Sequence, residues 1–103
     1  MIKLSVFYPN QEGKRFDIVY YSKTHMALVQ RLCGTALKGV AVEHGISGMA
    51  SDSPPPFVAM GHLYFESVEA FRASFGPHTN EIVGDVPNFT DIQPSIQLSE
   101  VTL

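Results

Sequence analysis

The sequence predicts an α+β chain of element order β-α-β-β-α-β, the ferredoxin-like arrangement of a four-stranded antiparallel sheet with both helices on one face. Three observations carry this. Asp17 to Gly34 shows helical periodicity with a single apolar stripe. Four separate segments alternate at the two-residue period of strands. The third of them, Phe57 to Glu66, is apolar on both faces, so one side calls for helices and the other for a second sheet. A chain with only four strands has to borrow that sheet from a partner, which predicts a homodimer by sheet-to-sheet packing.

Residues 2–8 place Ile2, Leu4, Val6 and Tyr8 on one strand face, and the Pro9–Lys14 run ends the strand with turn chemistry. Asp17 stands where a helix N-cap belongs, its carboxylate ready for free backbone N–H groups. At about 100° per residue, Ile18, Tyr21, Leu28, Val29 and Leu32 then share one arc, opposite Lys23, Gln30 and Arg31. His25 falls near the middle of that stripe. Arg31 and Gly34 mark the exit of the helix.

Leu37 to Ile46 reads as the second strand, with Val40, Val42, His44 and Ile46 on one face. Residues 47–56 form a long loop ending in three consecutive prolines, which cannot donate to a sheet. In the third strand Phe57, Ala59, Gly61, Leu63 and Phe65 make one set; Val58, Met60, His62 and Tyr64 make the other. Ser67 caps the second helix, Glu69 suits its first turn, and Val68, Phe71 and Phe75 form its apolar side. Gly76-Pro77 interrupts it, and a short helical piece with Ile82, Val83 and Val86 comes next. Pro87-Asn88 turns the chain into a last strand from Ile92 to Leu103, where Pro94 points to an edge or a bulge.

With 103 residues, 45% hydrophobic and 17% charged, the chain suits one globular domain spanning 1–103. Net charge is -3 and its seven Lys and Arg are scattered, which excludes nucleic acid and anionic membrane as natural partners. A lone cysteine, Cys33, fits a reducing cytoplasm. No stretch approaches the roughly 18 apolar residues of a membrane span, and MIKLSVFYP is too interrupted for a secretory signal.

The run Tyr20-Tyr21-x-x-x-His25-Met26-x-Leu28-Val29 resembles the helix motif of the EthD family. So do Gly61-His62-Leu63-Tyr64-Phe65 with Ser67-Val68-Glu69-Ala70-Phe71, and the tail Val86-Pro87-Asn88-Phe89-Thr90-Asp91-Ile92-Gln93-Pro94. One departure is Ala27, where the family usually has proline, so a more regular helix is expected there. The resemblance implies a dimeric α+β barrel, in agreement with the argument from the third strand. The family takes its name from a small protein accompanying a cytochrome monooxygenase system in fuel-ether degradation. Relatives sharing the barrel include cofactor-free monooxygenases, polyketide cyclases, muconolactone isomerases and haem proteins, and that likeness is of fold only.

His25 is the leading candidate for chemistry. Burial disfavours the charged imidazolium and leaves a ring nitrogen free as a base, and Tyr21 lies one turn earlier as the orienting hydroxyl. His62 and Tyr64 share a strand face and join the site as substrate-binding residues if that face meets the helices, or line a dimer interface if it does not. Asn88 can aim its amide at a pocket mouth or bond its own turn. His44 and His78 read as surface and helix-start residues, and Cys33, beside a helix C-terminus, as structural. The four histidines have no zinc spacing, a single imidazole is thin support for haem, and no phosphate loop or nucleophile elbow is present, so no metal or cofactor is expected. Two readings remain. One is a cofactor-independent enzyme for oxygenation, isomerisation or cyclisation of a small hydrophobic aromatic or lactone compound, bound between the first helix and the sheet. The other is a non-catalytic binding or accessory protein supporting an oxygenase system.

Overall fold

The computed structural model describes all 103 residues. Its strands are β1 (Ile2–Pro9), β2 (Gly39–His44), β3 (Phe57–Phe65) and β4 (Ser95–Glu100). They form one antiparallel sheet in the order β2-β3-β1-β4. Helical segments fill the two crossovers: α1 (Ile18–Tyr20), a π turn (Tyr21–His25) and α2 (Met26–Cys33) in the first, α3 (Val68–Phe75) and α4 (Thr79–Gly84) in the second. The ferredoxin-like arrangement is therefore present.

Register explains why all the helices share one face. Val40, Leu63, Leu4 and Leu98 lie opposite one another across the four strands. Alternation puts Ile2, Tyr8, Ala59 and Phe65 on the same side, and these pack with Tyr21, Met26, Val29 and Ile82 into one core. The other face carries the row Ala41, His62, Ser5 and Gln97. No element of the chain packs on that face, and the molecule measures only 19 Å through its thinnest dimension.

Asp17 caps the first helix as expected, accepting from the Tyr20 N–H, and Ser67 caps α3 through the Ala70 N–H. The single regular helix expected over Asp17–Gly34 is not what forms. Ala27 does lie in regular α-helix, but the turn before it is π, and the Met26 N–H donates to the Tyr21 carbonyl. The extra residue rotates the remainder of the helix. Met26 and Cys33 move to the buried side, while Leu28 and Leu32 shift to its margin.

Two strands are shorter than their alternation suggests. β2 stops at His44 rather than Ile46, since Ile46 is fully in solvent where the loop begins. β4 starts at Ser95 rather than Ile92, directly after Pro94, which has no N–H to give the ladder. Ile92 is still buried, but as part of the connecting segment. No helix is long and apolar enough to cross a membrane.

Candidate active site

The segment that completes the site runs from Asp85 to Ile92. Pro87 near the start of a single 3-10 turn (Val86–Asn88) suits its fixed φ. Beyond it the chain is stitched to the entry of the first helix. The Asp17 N–H donates to the Phe89 carbonyl at 2.8 Å, the Thr90 hydroxyl to the Arg15 carbonyl at 2.7 Å, and the Arg15 guanidinium to the Pro87 carbonyl. These bonds fix Asp85 and Phe89 beside residues some sixty to seventy positions earlier.

Phe89 is completely buried and gathers the site's aromatic rings. Its centroid lies 4.7 Å from His25, 4.9 Å from Tyr21, 5.5 Å from Phe16 and 6.0 Å from Tyr8. Tyr21 and His25 also stack on each other at 5.7 Å. The i, i+4 spacing keeps both rings on one side of the helix, and the π turn adds Met26 to that side.

His25 Nδ1 lies 2.8 Å from Asp85 Oδ2. The other carboxylate oxygen accepts from the Tyr20 hydroxyl at 2.7 Å and from Asn88 Nδ2 at 2.9 Å. With a carboxylate as acceptor, the network assigns the proton to Nδ1 and leaves Nε2 with its lone pair. Nε2 has no protein partner. Since no fully enclosed side-chain nitrogen or oxygen lacks a partner, that atom keeps open space beside it, on the cavity His25 lines. The chemical capacity of the arrangement is that of an oriented base.

Burial works against ionisation of Asp85, but the bonds from Tyr20, His25 and Asn88 outweigh it and hold the carboxyl below its ordinary value. A lowered folded value means this stabilisation is complete above the unfolded carboxyl's pKa of about 3.9 and disappears as pH falls through the folded one. The stability difference between wild type and Asp85→Asn should hold steady near neutrality and shrink below about pH 4 in urea melts at stepped pH. A difference that stays constant down to the lowest pH at which the protein is folded would contradict this.

The cavity holds about 550 Å³, within the range of small-molecule sites. Leu4, Val6 and Leu63 form its floor on the sheet, Met26 and Val29 one wall, and Phe71, Phe75 and Ile82 the other. Its polar lining consists of His25, Tyr8, Tyr21, Arg72, Thr79 and Gln93. Ile96, 61% exposed on the edge strand β4, and Val83, 56% exposed, stand at its rim, because no helix covers that edge. Gly61 lies under the Tyr21 hydroxyl, and a Cβ there would collide with it.

His25 and Tyr21 are thus brought together at the cavity, but Tyr21 stacks on His25 and turns its hydroxyl away, onto Gly61 of the sheet. His62 and Tyr64 do not join them. They sit on the opposite sheet face, where His62 Nδ1 meets the Ser5 hydroxyl at 2.9 Å and Nε2 lies 3.4 Å from Glu43. Asn88 does not point into the pocket mouth either, because its amide is spent on Asp85. His44 is exposed, His78 is half-buried in a short 3-10 turn, and burial pushes the Cys33 thiol up. No three His, Cys, Asp or Glu side chains converge as metal ligands. Sequence reading missed Asp85, Tyr20 and Tyr8. Asp85 meets His25 only through the tertiary fold, with no local spacing to signal it, and Tyr20 joins the site through Asp85.

The EthD domain model matches residues 13–93. An EthD-like protein from Ralstonia eutropha, solved by crystallography, is 46% identical, with 99% of this chain and 92% of that one aligned at a TM-score of 0.93. An EthD-family protein from Bacillus halodurans shares the fold at 16% identity, covering 99% of both chains with a TM-score of 0.70. A dimeric ferredoxin-like protein from Thermobifida fusca shares it at 13% identity, 97% and 90% coverage and a TM-score of 0.63. Among curated proteins none matches the sequence. The family model spans most of the chain and the Ralstonia relative nearly all of it, and on both grounds this chain belongs to the EthD family.

Proposed function

We propose that this protein is a cofactor-independent enzyme that moves a proton on a small hydrophobic aromatic or lactone compound bound between the first helix and the sheet. Isomerisation, cyclisation and oxygenation of an activated ring all begin with such a step. The observation that carries the reading is the His25 imidazole, buried, held at Nδ1 by Asp85, and opening Nε2 onto an apolar cavity. A water-poor chamber with one oriented base suits substrates that need deprotonation and little else. His25 is the proton acceptor; Asp85, with Tyr20 and Asn88 behind it, is a positioning group.

The protein works as a homodimer in this proposal, paired through the uncovered sheet face. That face presents Phe7, Met60 and Tyr64 half-buried around the Ser5–His62–Glu43 cluster. The chain's accessible surface is 6364 Å², against about 5,700 Å² expected for a compact monomer of this mass. The excess is of the size one partner buries in a standard interface, about 800 Å². His62 and Tyr64 are then interface residues. A reducing, cytoplasmic setting suits the lone buried thiol of Cys33.

A second reading, an accessory protein that sequesters an apolar compound for an oxygenase system, draws on the same cavity with its mainly hydrophobic lining. Screening small aromatic and lactone compounds separates the two. The enzyme reading expects at least one compound that both raises the melting temperature and is consumed by purified protein alone. Saturable stabilisation with no product in any case would favour the accessory role.

A further inference from the structure

Two buried phenols remain unexplained by a single base. Tyr8 comes from β1 and Tyr21 from the π turn; both line the cavity beside His25, and they are 2% and 1% exposed. The two rings pack edge to face with centroids 5.5 Å apart, and neither hydroxyl bonds a protein group; since no fully enclosed side-chain oxygen lacks a partner, both keep open space beside them. Each hydroxyl therefore carries an O–H donor that no protein group takes up. The Tyr21 hydroxyl is seated on the sheet against Gly61, which leaves that of Tyr8 as the donor free to serve the cavity. Burial keeps it protonated, pushing Tyr8 up to about 12.

We propose that Tyr8 donates this hydrogen bond to a carbonyl oxygen of the ligand, which makes the substrate class small apolar ketones and lactones with an acidic C–H beside the carbonyl. The inference rests on His25 being the base and deepens that reading. The C–H bond breaks as its proton passes to His25 Nε2; its electron pair becomes the enolate double bond, and the carbonyl oxygen takes the negative charge against the Tyr8 hydroxyl. Return of the proton to the same or a neighbouring carbon closes the cycle with no oxidant or reductant. A neutral phenol suits this task, since it strengthens its hydrogen bond as charge develops on the oxygen.

Indanone and indane, alike in shape but differing in the carbonyl, serve as probes. Their affinities are measured by titration calorimetry, and exchange of the hydrogens beside the indanone carbonyl is followed by NMR in deuterium oxide. Tyr8→Phe should weaken indanone about five- to ten-fold, the value of one neutral hydrogen bond, slow exchange in parallel, and leave indane within about two-fold. Tyr21→Phe, which keeps the free donor, should weaken indanone less. Indane binding doubles as the control that each variant is folded. Failure of wild type to bind indanone overturns the proposal, as does an unchanged indanone affinity in Tyr8→Phe or an equal loss for both probes. His25→Ala separates this inference from the reading beneath it. Exchange that survives in His25→Ala while Tyr8 still governs ketone affinity removes the general base and leaves carbonyl recognition standing. Exchange lost in His25→Ala, with Tyr8→Phe silent, does the reverse.

Discussion

Replacing His25 with alanine lowers turnover of a productive compound by about 10²- to 10⁴-fold, the usual contribution of a positioned general base. Binding changes far less, because the cavity is built mainly from Leu, Val, Met and Phe side chains that the substitution does not touch. Added imidazole should restore part of the rate, since the void left beside Phe89 has the shape of the missing ring. Asp85→Asn is the companion variant. An amide cannot accept at both oxygens, so either the Nδ1–H of His25 or the Tyr20 and Asn88 donors lose their acceptor. The expected outcome is a fall in kcat with KM nearly unchanged, because the base is misaimed while the chamber persists. Full turnover in His25→Ala would remove the histidine from the chemistry.

Phe89→Ala should be the most damaging single truncation for stability, at about 3–5 kcal/mol, the range for large-to-small changes at fully buried aromatic sites. In a chain of this length that corresponds to a fall in Tm of well over 10 °C, taking roughly 4–8 °C per kcal/mol. The ring has no exposed surface and touches Tyr8, Phe16, Tyr20, Tyr21 and His25 together. Its loss opens a hole where the first helix, β1 and the Asp85–Ile92 segment meet. Phe89→Leu should recover much of the stability and less of the activity, since a smaller aliphatic group fills volume without holding the His25 and Tyr21 rings at their angles. Thermal melts of both variants decide this. A loss under about 1 kcal/mol for alanine would mean that the segment is anchored by its backbone bonds to Arg15 and Asp17 instead.

Local order is written plainly into the residues. Alternation identifies all four strands, because each keeps one face on the core and a one-residue slip would reverse every side chain. Asp17 and Ser67 are readable as caps, since capping needs only a short acceptor three residues before a free N–H. The burial of His25 follows from its angle on the helix, and the doubly apolar third strand foretells a sheet face that the chain leaves uncovered. The family motif around Tyr21 and His25 points to the helix where the candidate site lies.

Other features are decided only when distant segments meet. A π turn replaces one regular turn because packing Tyr21, His25 and Met26 all toward the sheet is worth more than ideal helix geometry, and no local propensity announces that balance. Whether His62 faces the helices or the open side is set by pairing with Ser5 and Ala41, partners that alternation within one strand cannot name. Asp85 reaches His25 across sixty positions, and the Tyr8 ring meets that of Tyr21 only once β1 and the first helix are packed together. Sequence periodicity records which side of an element is apolar, a property of nearest neighbours along the chain. The pairing of an imidazole with its carboxylate is a distance between elements, and it exists only after the core has fixed where those elements sit.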